Sequence, residues 1–143
     1  MASARASTAF ARKRVDYRQS ALAPEFALVD ARSDYREGLR RPGGPQEVFV
    51  QEGAGDPERA APVAAAGLVA DAGFDEFLRR HWDRLLAGES VPLAFAVPSR
   101  LESMDFTVRR LRGGAQVAGE DAVVFRLALD GWRGWLAPHI DVA

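Results

Sequence analysis

Between Asp71 and Gly88 the side chains repeat at helical spacing. Phe74, Phe77, Leu78, His81, Trp82, Leu85 and Leu86 stand at offsets 0, 3, 4, 7, 8, 11 and 12. One face of a single helix accounts for that spacing, so the stretch is predicted to be one amphipathic helix. Asp71 or Gly73 can open it. Asp75 and Glu76 sit where the positive end of the helix dipole favours carboxylates, and Gly88 suits a left-handed cap. Arg79, Arg80, Asp83 and Arg84 fall off the apolar stripe, so Asp83 lies opposite His81 and cannot orient it. His81 reads first as a buried-face histidine satisfied by one hydrogen bond. The sharper reading is a proton-transfer group whose pKa is lowered by burial.

Elsewhere the period is two. "FARKRVDY" (Phe10–Tyr17) alternates Ala11, Val15 and Tyr17 against Arg12, Arg14 and Asp16. "EFALVD" (Glu25–Asp30) follows the breaker Pro24. "DYREGLRRPGGPQEVFVQE" reads as a hairpin about Pro42-Gly43-Gly44-Pro45, a turn that no strand absorbs. "VPLAFAVP" (Val91–Pro98), "MDFTVRRLR" (Met104–Arg112), "DAVVFRLALD" (Asp121–Asp130) and "APHIDVA" (Ala137–Ala143) complete the strand candidates, with Glu52–Ala66 loop-like and Gly113-Gly114 and Gly119-Glu120 as turns. The predicted class is α+β: a curved antiparallel sheet of about seven or eight strands packed on one amphipathic helix, open to being an incomplete half-barrel. No alternation of strands and helices suggests parallel βαβ units. Residues 1–9, small and polar, are expected to fray, leaving 10–143 as a single α+β domain.

A chain of 143 residues is long enough to bury a real core, and 48% apolar with 27% charged residues is ordinary for a globular protein. The net charge of −1 gives no overall footprint for nucleic acid. Its cations are 18 arginines and one lysine, Lys13, a bias that reads as coding composition rather than phosphate binding. With no cysteine, thiolate nucleophiles, cysteine metal sites and disulfides are excluded. The N-terminal "MASARASTAFARKRVDY" lacks the apolar core of a signal peptide, and no run reaches the length of a membrane span.

Catalytic signals are weak. Ser20, Ser33, Ser90, Ser99 and Ser103 lack the nucleophile-elbow context. His139 and Asp141 share one face of a strand in "PHIDV", with Ile140 and Val142 on the other, and they are half of a catalytic or metal arrangement without a visible partner. The histidines, 58 positions apart, carry no metal-ligand spacing, so no metal and no cofactor are expected. "RKR" and "RRLR" lack the interleaved aromatics of a nucleic-acid surface. Trp132 and Trp135 in "DGWRGWLAPH" either cover the end of the core or form an aromatic lip.

The stretches "FARKRVDY", "LVADAGFDEF", "FAVPSRL" and "GWLAPHIDV" together resemble a family of conserved hypothetical bacterial proteins, often preceded by an export signal. The resemblance runs from about Phe10 onward and implies a periplasmic or cell-envelope setting, with further strands at both ends, but no activity. By architecture alone the pattern is also similar to periplasmic lipoprotein carriers, where a curved sheet wraps a helix.

These readings converge on a non-enzymatic cell-envelope protein that binds an apolar or amphipathic small molecule or lipid between helix and sheet. Phe77, His81, Trp82, Phe95, Phe106, Phe125, Trp132 and Trp135 are the candidate lining residues. One alternative is a structural or protein-interaction module with a filled core, forming a homodimer through an open sheet edge. The other is a hydrolase using His139 and Asp141.

Overall fold

A computed structural model describes residues 10–130 of the chain in full and the backbone of 139–142. Its strands form two five-stranded sheets and a small hairpin rather than one curved sheet. The first sheet is an antiparallel meander of β1 (Ala11–Asp16), β2 (Glu25–Asp30), β3 (Tyr35–Arg40), β4 (Glu47–Gln51) and β5 (Arg59–Pro62), neighbours in space as in sequence. The predicted hairpin about Pro42–Pro45 is β3–β4, with Arg40 opposite Glu47. β5 lies within the stretch expected to be loop.

The second sheet runs in the order β12 (His139–Val142), β11 (Phe125–Leu129), β8 (Glu102–Arg110), β7 (Val91–Val97) and β6 (Leu68–Val69). Its pairs are antiparallel except β6 with β7, which is parallel and joined by the helical segment. One βαβ crossover therefore exists where none was expected. β6 is two residues long, too short to show a period in sequence. β9 (Ala115–Val117) and β10 (Glu120–Ala122) form the separate hairpin.

The helix is not continuous. It divides into α1 (Gly73–Arg80) and α2 (Trp82–Leu86), with His81 between them at φ −106° and ψ 14°, outside helical geometry. Asp71 is no cap. It adopts a left-handed conformation at φ +46°, and its carboxylate accepts a hydrogen bond from the single lysine, Lys13, at 3.1 Å. That contact ties the edge strand β1 to the start of α1. Gly88, at φ +90°, ends the helical segment as predicted.

The two sheets and the helices stack around two apolar clusters. Phe26, Leu39 and Val48 of the first sheet meet Leu68, Ala70 and Ala96 of the second. The opposite face of the second sheet, through Val69, Val91, Leu93, Val108, Phe125 and Leu127, packs on Phe77 and Leu85 of the helices. Alternation explains the division, because odd positions of β7 face the helices and Ala94 and Ala96 face the first sheet. The helices thus cover the second sheet alone, which corrects the expectation of one helix laid against a single sheet of seven or eight strands.

The β9–β10 turn is a two-residue loop with both central residues left-handed, Ala118 at φ +52° and Gly119 at φ +82°. Such a turn favours asparagine-glycine, and alanine pays for its Cβ there. Ala118→Asn is expected to stabilise the protein by about 0.5–1 kcal/mol, measurable as a raised denaturation midpoint with an unchanged slope.

Candidate ligand groove on the first sheet

Six of the eight residues predicted to line a ligand site come together, but they pack on one another. Phe95 meets Phe106 edge-on at 6.2 Å between ring centroids, and also meets Phe74 at 6.2 Å. Phe77 stacks with Phe74 at 6.3 Å and lies 4.5 Å from the His81 ring. Trp82 sits edge-on to Phe125 at 5.6 Å yet stays 40% exposed. Phe77 and Phe125 are buried, Phe95 and Phe106 partly so. Trp132 and Trp135 lie outside the described residues. His139 and Asp141 fall in β12, opposite Ala128 and Arg126 in the register. β12 is the edge of its sheet, pairing only with β11 among the described strands.

His81 is half-buried, and its ring makes no hydrogen bond with any described residue. Burial lowers its pKa below the ordinary histidine value, and the charges of Arg84 and Arg80 act in the same direction. A base with a depressed folded-state pKa resists protonation in the fold. Its stabilising contribution is therefore complete above the unfolded value of about 6.5 and is lost as pH falls from there toward the lower folded value. Stability of the wild type is expected to decline across that window more steeply than that of His81→Gln, read from paired denaturation curves at pH 7 and pH 5.

A concave region with a largely apolar floor lies elsewhere, on the outer face of the first sheet. It is a groove of about 640 Å³. Register builds it: Arg14 lies opposite Ala27, Ala27 opposite Gly38, and Gly38 opposite Phe49. All four share the face turned away from the core, since Phe26, Leu39 and Val48 occupy the other. Gly38 is required by close approach, because an added Cβ would stand 2.0 Å from the Phe26 carbonyl oxygen and 2.7 Å from the Phe49 ring. The buried Phe49 ring lies on Gly38, so the depression is centred on Ala27, the small residue beside it, and larger neighbours border it.

The border is cationic but unevenly compensated. Arg40 lies over the Phe49 ring at 4.5 Å and is bound by Glu47 and Glu58, each at 2.7 Å. Arg18 is paired with Asp16, whose carboxyl it holds down at about 2. Arg14 and Arg36 are exposed and make no ion pair with any described residue. Arg12, which likewise makes no ion pair with any described residue, lies opposite Val29, which in turn lies opposite Arg36. Exposed Tyr17 adds an aromatic flank.

Comparison with protein families, curated proteins and solved structures finds no match to the chain. The residues themselves carry the functional reading. Among the described residues no three His, Cys, Asp or Glu side chains converge to hold a metal, and no helix is long and apolar enough to cross a membrane. A second depression, of about 730 Å³, lies between Leu86–Ser90 and Arg109–Gly113. There Arg110 already donates to the Leu86 carbonyl.

The groove is not marked by aromatic residues in the sequence. Its signal was present in part: Arg12 and Arg14 alternate away from the apolar side of β1, and Arg36, Gly38 and Arg40 share one side of β3. Only the register brings Ala27 and Gly38 beside them.

Proposed function

We propose that the protein is a non-enzymatic binding protein for a small amphipathic ligand, held in the groove on the outer face of the first sheet. One observation carries the proposal: an apolar floor centred on Ala27 and reaching the edge of the Phe49 ring, beside a polar rim where Arg14 and Arg36 make no ion pair with any described residue. Ligand sites combine an apolar surface with a few oriented polar groups in this way. The cell-envelope setting belongs to the same proposal and rests on the motif resemblance.

A second reading keeps an apolar ligand at the margin between helix and sheet. It is favoured by Trp82 and Leu86, which remain 40% and 36% exposed at the rim of the second core. Native mass spectrometry with octanoate and 1-octanol separates the two. Ala27→Leu, which fills the groove floor, is expected to abolish the ligand-bound species without lowering the melting temperature, and Trp82→Ala to leave it intact. The reverse pattern overturns the groove and installs the helix margin in its place.

A further inference from the structure

We infer that the groove selects an acid: its ligand is an amphipathic molecule with one carboxylate, the head group held between Arg14 and Arg36 and the apolar body lying over Ala27 toward Phe49. This inference rests on the proposed ligand groove and adds the charge and orientation of what occupies it.

Two arginines on one strand differ in what holds them. Arg36 and Arg40 are both on β3 and both on its outer face, two residues either side of Gly38. Arg40 is anchored by two carboxylates and a ring. Arg36 has neither an ion pair nor a ring contact among the described residues. The sheet could have compensated Arg36 as it compensates Arg40, and it does not.

Protection of a sheet edge accounts for charges on β1, where Arg12 and Arg14 discourage pairing with another chain. It does not account for Arg36, which is on the central strand of five. Arg14 and Arg36 belong to strands separated only by β2 and are offset by two residues in the register, with Ala27 opposite Arg14 and Val29 opposite Arg36, so their backbones stand roughly 12 Å apart. Two arginine side chains reaching toward each other span that gap, and their forked donors match a carboxylate placed over Ala27 and Val29 between them.

The acids bordering the groove do not compete for this position. Asp16 is bound by Arg18, Glu47 by Arg40, and Glu25 accepts the Arg41 backbone N–H. Arg40, already neutralised, closes the far end over Phe49 as a lid on the apolar floor rather than as a second anion site. The charge without a partner among the described residues is thus on one side of the groove, beside an apolar strip at Ala27 that runs to the edge of the Phe49 ring, which is the pattern of a single-headed acid.

Titration calorimetry on the full chain tests the inference with three eight-carbon probes: octanoate, 1-octanol and octylamine, the last cationic at neutral pH. Octanoate is expected to bind about tenfold tighter than 1-octanol, with octylamine weakest, and its advantage to shrink as salt is raised. The double variant Arg14→Gln, Arg36→Gln is expected to remove that advantage, so that octanoate binds no tighter than 1-octanol. Both arginines are exposed and make no ion pair with any described residue, so the substitutions are expected to leave the fold intact. 2-Naphthoate against octanoate then reports whether the apolar body is aromatic or aliphatic.

Equal binding of octanoate and 1-octanol, with both lost in Ala27→Leu, overturns the acid and leaves the groove. An octanoate preference that persists in the double variant also overturns it. Binding of no probe, or binding unaffected by Ala27→Leu, overturns the groove reading as well.

Discussion

Gly73→Ala is expected to destabilise the protein by about 3 kcal/mol or more, in the upper range for a single added methyl. Gly73 opens α1, and its backbone lies against the preceding connection. A Cβ there would stand 1.8 Å from the Leu22 carbonyl oxygen and 2.4 Å from its carbon. That carbonyl cannot retreat freely, because it accepts the Ala70 backbone N–H at 3.0 Å. Pro24, at 3.0 Å, closes another side. Thermal melting should show a loss of roughly 10 °C for a chain of this size. Gly88→Ala is the control: nothing lies within 4 Å of its added methyl, and only the left-handed backbone, about 1–2 kcal/mol, is at stake. A Gly73→Ala variant that melts with or above Gly88→Ala would refute the close approach.

Phe77→Ala is expected to cost about 3–5 kcal/mol. The ring is buried in the second core and joins three elements of its packing: Phe74 stacks on it, the His81 ring leans on it, and Leu93 and Phe125 complete the cluster. Removing it leaves a cavity in a region held by interlocked rings, and the short helices α1 and α2 have little stability without that packing. Trp82→Ala, at a residue 40% exposed, should cost about 1 kcal/mol, mainly its edge contact with Phe125. Chemical denaturation of the two variants decides between a filled core and a ligand cavity. Similar small losses for both would indicate that Phe77 lines open space.

Much of the fold was legible in the residues. β2 occupies Glu25–Asp30 as the alternation and Pro24 indicate, and the Pro42–Pro45 turn places the β3–β4 hairpin correctly. The α+β class with mainly antiparallel sheets holds. The division into two sheets was not legible, because alternation reports which side of a strand is apolar and not which sheet receives it. Ala94 and Ala96 face the first sheet while Val91 and Leu93 face the helices, so both faces of β7 are apolar and the strand reads as one continuous run. The break at His81 was hidden for a related reason: a helical period survives one non-helical residue almost unchanged. At the candidate site the sequence supplied the right face for Arg12 and Arg14 but no reason to bring Ala27, Gly38 and Phe49 beside them. That juxtaposition depends on three successive strand registers, each set by its own turn.

The position of a bound ligand decides between the groove and the second core. Two-dimensional amide NMR of the labelled protein, titrated with octanoate, locates it most directly. Shifts concentrated at Arg14, Ala27, Arg36, Gly38 and Phe49 are the expected result. Shifts concentrated instead at Phe77, Trp82, Phe95 and Phe125, with the first sheet silent, would place the ligand in the second core and contradict the groove.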